Sequence, residues 1–412
     1  MSFSQALSGL NAQREKLSAI GNNIANSQTV GFKSTDVRFA DVYAQSRIGL
    51  GVRTASVLQN FSQGSIESSS RNLDLAISGD GFFRFQQSNG SIGYSRNGQL
   101  TMTPTGELVN AQGAQIMGYP ADAAGNVLSG GNVAPLSVDP GDLEASATSQ
   151  LNMTLNLNSG QPAITGAAPT AAELEEGIGA DRYTFSSNPT IFDSQGNARN
   201  LTLYFTKTGD NAWRVDGRLS GGPGDAQTYG LPGLTTLTFN QNGTLQGGGE
   251  AALAINGGEF NNTILANLDI DLNFAGTTQF ANTSTVNDIA QNGYTSGSLV
   301  GISIQQDGTV QRNYSNEQSR AAGQVSLVSF RNPEGLQPIG DNLWSATSSS
   351  GQELIGAPGT GQRGLLQPGA TENSNVDLAQ ELVDMIVSQR AYQANSQTIS
   401  TQDELLQTII NL

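Results

Sequence analysis

Residues 374–412 read SNVDLAQELVDMIVSQRAYQANSQTISTQDELLQTIINL. Leu378, Met385, Tyr392, Ile399 and Leu406 recur in this stretch every seven residues, the period of a helix seam that packs on another helix. A companion line, Leu382, Gln389, Ser396, Asp403 and Ile410, is apolar only at its two ends, and Val383, Ile386, Val387, Leu405, Ile409 and Leu412 broaden the face at both ends. Ser374 or Asn375 is the expected N-cap, and Asp377 and Glu381 suit the positive end of the helix dipole. A helix of about 36 residues would be roughly 54 Å long at 1.5 Å per residue. No compact domain needs a terminal helix of that length, so it must pack on another long helix.

The partner this predicts is the N-terminus. Ser2 and Gln5 are spaced as a capping box, and behind them Phe3, Leu7, Leu10, Leu17 and Ile24 keep a seven-residue apolar pattern that Arg14 and Gly21 interrupt. Between the ends, short alternating runs such as Asn200–Phe205 and Trp213–Asp216 are separated by polar glycine turns at residues 88–90, 103–106, 122–125, 193–196, 208–210, 240–243 and 306–308, the pattern of hairpins. The expected fold is α+β, mainly β: two nested β-sandwich or barrel-like domains with an N- and C-terminal helical coiled-coil domain. Its parts are a helical core (1–26 and 375–412), a linker region (27–72 and 358–374), an inner β domain (73–143 and 288–357) and an inserted outer β domain (144–287). The polar stretches 135–148 and 277–287 mark where the insertion leaves and rejoins the chain.

Composition removes most chemistry. Of 412 residues, 19 are Lys or Arg and 35 are Asp or Glu, a net charge of −16, and neither His nor Cys occurs. Disulfides, His/Cys zinc sites and imidazole- or thiol-based catalysis are excluded. So acidic a chain is poorly suited to nucleic acid or anionic membrane. No run of about 20 apolar residues occurs, so no membrane insertion is expected. The start lacks a signal peptide's basic and apolar regions, which points to the cytoplasm, yet low charge, abundant glycine and absent cysteine suit a secreted protein. Export without a cleaved signal reconciles the two.

Candidate sites resolve into structure. The Asp-x-x-Gly turns lack the ligand series of a calcium loop. The glycine runs 221–224 and 247–249 precede neither a helix nor a Lys and read as loops, not phosphate cradles. Glu173, Glu175 and Glu176 read as a solvated acidic turn rather than a glycosidase pair. No catalytic residue, cofactor or metal site is expected. Gly21, Asn22, Asn23, Ile24, Ala25 and Asn26 place three amides in one helical turn, and Gly31 with Phe32 follows as a turn and an aromatic anchor. The amides either stop the helix or fix the register of helices packed against one another.

These residues carry a family resemblance. Ser8-Gly9-Leu10-Asn11, Gly21 to Ser27 and Gly31-Phe32-Lys33 resemble the N-terminal signature of the bacterial flagellar rod and hook axial proteins. Ser374 to Asp377, Glu381-Leu382, Met385-Ile386, Gln389-Arg390-Ala391-Tyr392, Asn395 and Asp403 resemble its C-terminal signature. Leu73 to Ile77, Gly81-Phe82-Phe83 and Tyr94 to Gly98 resemble its first β-domain motif; residues 143–287 carry nothing as specific. Rod members lack a large inserted domain, and Asn313 to Glu317 and Gly340 to Trp344 also look like the hook branch.

The resemblance implies a non-enzymatic subunit of the hook, exported by the flagellar type III apparatus without a cleaved signal and polymerised into a flexible extracellular tube that transmits motor torque. It implies itself as the main partner (a homopolymer), with the distal rod, hook cap, hook–filament junction proteins and export apparatus as further ones. Leu7, Leu10, Leu17, Ile24, Leu378, Leu382, Met385, Tyr392, Ile399 and Leu406 are the expected helix and polymer interface; Gly21, Asn22, Asn23, Asn26, Gly31 and Phe32 are the family motif. Two alternatives stand beside this reading: a distal rod subunit with an enlarged domain, and a surface adhesive β-sandwich protein, which would need an exposed aromatic platform from Trp213 or Trp344.

Overall fold

The computed structural model describes residues 3–43, 49–128, 130–220, 227–256 and 267–410. Ser2, the glycine run 221–224, Leu412 and the side chains of Ile409 and Ile410 lie outside the described residues. The chain is mainly β, with helices α1 (Phe3–Ala25), α2 (Ala171–Glu176) and α3 (Leu378–Ile410). It divides into two compact units: Met1–Pro140 with Val300–Asn313 and Ser319–Leu412, and Gly141–Leu299 with Tyr314–Gln318.

In the first unit a large antiparallel sheet includes, in spatial order, Ser319–Val325, Gln115–Pro120, Phe82–Gln86, Ile92–Ser95 and Leu343–Ser345. Its register places Gly118 opposite Val325, Ile116 opposite Phe85 and Phe83 opposite Ser95. Leu75, Ile77, Phe83, Phe85, Ile116 and Val325 form one core there. A second cluster is aromatic: Tyr94 meets Phe330 edge-on at 4.8 Å between ring centroids, and Phe61 meets Trp344 at 5.4 Å. Asp74–Ser78 pairs with Leu365–Pro368, and Ile66–Ser68 with Ala370–Glu372, so both ends of the chain are tied by backbone ladders before α3 begins.

The second unit is two sheets around one core. Ala198–Gly209, Ala212–Ser220 and Thr228–Phe239 form the middle of one; Gln150–Asn158 lies within the other, parallel to Leu268–Asn273 and antiparallel to Thr285–Gln291. Leu151, Met153, Leu155 and Leu157 pack with Leu203, Phe205, Trp213 and Phe274, as two inward faces do in a sandwich. Trp213 is fully buried and donates its indole N–H to Gln279 Oε1 at 2.7 Å.

Several local expectations need correction. Residues 27–72 are not a composition-driven spacer: Thr35–Val42 and Gly51–Gln59 form a hairpin that packs on α1, because ladder bonds do not require an apolar sequence. The stretch 277–287 does not leave the second unit. It contributes Thr278–Phe280 and the start of Thr285–Gln291, both paired to Gln150–Asn158, and the compact unit runs on to Leu299. The 285–291 strand is almost wholly exposed, so backbone pairing holds it and no apolar alternation betrays it. Among the turns, Gly308 takes the expected positive φ of 86°, whereas in the 208–210 turn that conformation falls on Asn211 (φ 58°). Glu173 belongs to a short helix rather than an open turn. Thr170 and Glu173 form a reciprocal capping box, and those bonds with Arg182 lower the Glu173 pKa to about 2.

Candidate interaction surface on the terminal helices

The cap of α3 is Asp377, whose Oδ1 accepts the backbone N–H of Ala379 (2.9 Å) and Gln380 (3.1 Å). Asn375, an expected cap, instead accepts the N–H of Ser34 and donates to the Asn60 and Ser62 carbonyls. It therefore fastens the helix start to the hairpin region. α1 ends where its amides predict. Asn26 Nδ2 donates to the Asn22 carbonyl and side chain, both at 3.0 Å, and Gly31 at φ 71° completes the turn. A methyl group on Gly31 would come within 2.6 Å of the Asn97 nitrogen, so only glycine fits.

Asn23 acts differently from its neighbours. Buried, it exchanges bonds with the Thr35 backbone (2.9 and 3.0 Å) and donates to Glu381 Oε1 at 2.8 Å. Further along, Gly9 lies against Asn395, whose amide would sit 2.9 Å from a methyl at that position. The two contacts are fourteen residues apart on each helix (23 − 9 and 395 − 381) and run in opposite senses, so α1 and α3 are antiparallel. The α3 residues on this line, Glu381, Ser388, Asn395 and Gln402, recur every seven positions and are buried or half-buried. The helix pair thus closes on a polar row, flanked on α1 by Ala6, Ala12 and Ile20.

The expected interface residues lie mostly elsewhere. Leu10, Leu17, Ile24, Met385 and Ile399 are half-buried, and Leu7, Leu378, Leu382, Tyr392 and Leu406 are exposed. Of the motif residues, Gly31 and Asn23 are buried, Asn26 and Phe32 half-buried, and Gly21 and Asn22 exposed. On the outer side of α3, Leu378, Leu382, Val383, Ile386 and Val387 are 45% to 56% exposed.

A charged cluster that sequence reading did not assemble ties the motifs together. Lys33 Nζ donates to Glu372 Oε1 (2.7 Å) and the Ser62 carbonyl (2.6 Å). Arg96 Nε lies 3.1 Å from Glu372 Oε2, and Arg96 Nη1 donates to the Gly79 and Gly81 carbonyls. All three side chains are buried. Burial lowers the pKa of Lys33 and of Arg96; Glu372 opposes both shifts, and Arg96 adds to the lowering at Lys33. Lys33 and Arg96 each sit inside a quoted motif, and their charge in so charge-poor a chain was the available signal; Glu372 offered none. A buried pair of this kind is poor evidence for net stability but costly to break.

Comparison with known proteins decides the family. Along its whole length the chain is 48% identical to the flagellar hook protein FlgE of Escherichia coli and 46% identical to that of Salmonella typhimurium, covering all of each relative. The chain belongs to the flagellar hook protein FlgE family. Four family models place its parts: the flagella basal body rod protein at 4–33, the hook protein FlgE/F/G D1 domain at 76–151, the FlaE D2 domain at 156–294 and the FlgEFG C-terminal region at 367–412. The solved Helicobacter pylori hook protein FlgE2 shares the fold, with a TM-score of 0.54 at 14% identity, covering 73% of this chain and 99% of that one. Within this hook-family chain both tryptophans are buried, so neither supplies the aromatic platform an adhesive module would need. Among the described residues no group of three or more Asp or Glu is placed to hold a metal ion, and no helix is long and apolar enough to cross a membrane.

Proposed function

We propose that this chain is the structural, non-enzymatic subunit of the bacterial flagellar hook, self-assembling through its terminal helices into a flexible tube that carries motor torque from rod to filament. The observation that carries the reading is the inside-out character of α3: its inner line is polar, while Leu382, Val383, Ile386 and Val387 stay exposed in the single chain. Fully burying such a side chain stabilises by about 1.5–3 kcal/mol, so several half-exposed ones supply a substantial drive for association. The helices then form the coiled-coil inner core of the tube, with the unit of Gly141–Leu299 and Tyr314–Gln318 as a separate β domain inserted into the other. Distal rod, hook cap, hook–filament junction proteins and export apparatus are the remaining partners, and the site of action is the extracellular hook, reached without a cleaved signal.

Electron microscopy of purified protein at high concentration tests this. The wild type should form curved tubes, and Val387→Asp should form none while the β units keep their melting transitions. Straight tubes would favour a rod subunit, and unchanged assembly of the variant would remove α3 from the contact.

A further inference from the structure

On the exposed face of α3, Arg390 carries a positive charge that its surroundings do not explain. Val383, Val387, Arg390, Ala394 and Leu405 follow one another at helical spacing along the side facing away from Ser388, and all are exposed. Arg390 makes no ion pair or hydrogen bond among the described residues. If this stripe is buried against a second copy, as the homopolymer reading above requires, the guanidinium goes with it. An unpaired buried charge is costly, and a guanidinium is best compensated by a carboxylate that can accept two parallel N–H bonds.

The same unit holds an acceptor. A recess of about 510 Å³ lies where α1, the hairpin and α3 meet, lined by Lys16 and Ile20, by Asp36 and Arg38, by Glu381 and Asp384, and by Glu334. Its carboxylates are Asp36, Glu334, Glu381 and Asp384 and its cations Lys16 and Arg38, a net charge of −2. Arg38 stands 3.8 Å from Asp36, and Lys16 is the cation whose charge acts on Glu381. Burial first, then Asp384 and Asp36, raises the Glu381 pKa against the opposing bond from Asn23 and the charge of Lys16. The recess and Arg390 do not meet within one chain, since Arg390 projects from the opposite side of α3.

We propose that Arg390 of one copy is received by the acidic recess of a second copy, pairing with Asp384. The inference specifies the partner surface for the homopolymer reading and rests on it. Arg390 then sets which part of the neighbour the apolar stripe lies against, because the aliphatic contacts are non-directional and the ion pair is not.

Charge reversal tests the pairing. Arg390→Glu should raise the critical concentration for polymerisation about thirtyfold or more, the low end for losing one partner of a buried interfacial charge pair. Asp384→Arg alone should do the same, and the double variant Arg390→Glu/Asp384→Arg should return to within a few-fold of wild type. Both positions lie outside the α1–α3 polar row, and an unchanged melting curve of the free monomer checks that folding is intact. Polymerisation of Arg390→Glu at the wild-type concentration, or a double variant no better than the singles, overturns the pairing and leaves the hook reading standing. Failure of the wild type itself to polymerise overturns both.

Discussion

The second unit and the terminal helices bury opposite kinds of side chain. In the unit of Gly141–Leu299 with Tyr314–Gln318, the interior is mainly Leu, Ile, Phe and Trp213, and among its buried polar groups Asp193 pairs with Arg199 and Gln279 accepts the Trp213 N–H. Between α1 and α3 the inner line of α3 is Glu381, Ser388, Asn395 and Gln402, buried or half-buried, with Ala6, Ala12 and Ile20 the apolar residues buried beside it on α1. Leu378, Leu382, Val383, Ile386 and Val387 are exposed. A unit built the first way has what it needs to fold alone. A helix pair built the second way has register but little drive, since polar rows fix alignment at a cost in stability. The lesson is that the ends of this chain are constructed for completion by neighbours.

The strongest way to break the contrast is at Trp213. Trp213→Ala should destabilise the second unit by about 3–5 kcal/mol, the usual cost of a large-to-small change with its cavity. Hydrogen exchange should then show that unit losing protection while α1 and α3 keep theirs. Loss of protection at the helices as well would mean that the two regions fold as one.

A smaller effect is expected at the helices. Asn23→Ala removes the bonds to Thr35 and Glu381 and leaves these half-buried partners without them, a cost of about 1 kcal/mol or somewhat more. It should raise amide exchange in α1 and in the first turns of α3, without moving the transition of the second unit. Unaltered exchange would show that apolar contacts at Ala6, Ala12 and Ile20 hold the pair alone.

Much of this was legible from sequence, and where legibility failed there is a common cause. Helix positions, the hairpin turns and the strands around Leu203 and Trp213 follow from periodicity and glycine punctuation, which act locally. The α1–α3 seam does not, because apolar periodicity marks burial without saying by what. Leu378, Leu382 and Tyr392 follow the expected pattern and are exposed, whereas the row that meets α1 repeats at the same seven-residue period in polar residues. The charged cluster failed for another reason: Lys33 and Glu372 are 339 positions apart, and nothing local links them. The strand at 285–291 was hidden because backbone pairing alone needs no side-chain code.

The finest distinction between the two regions is their response to acid. Glu381 has its pKa raised by burial first, then by Asp384 and Asp36, against the opposing bond from Asn23 and the charge of Lys16. A carboxyl whose pKa is higher folded than unfolded binds its proton more tightly in the folded state. Its contribution to stability is therefore full below the ordinary carboxylate value of about 4.3 and is lost as pH rises through the folded value. Protection of α1 and α3, corrected for intrinsic exchange, should be modestly greater at pH 4 than at pH 7. Because lowering pH also relieves general repulsion in a chain of net charge −16, the comparison must include Glu381→Gln. That variant should keep much of the extra protection at neutral pH and lose most of the pH dependence, since its amide carries no charge to desolvate. A pH profile identical in wild type and Glu381→Gln would assign the acid response to net charge and remove Glu381 from the account.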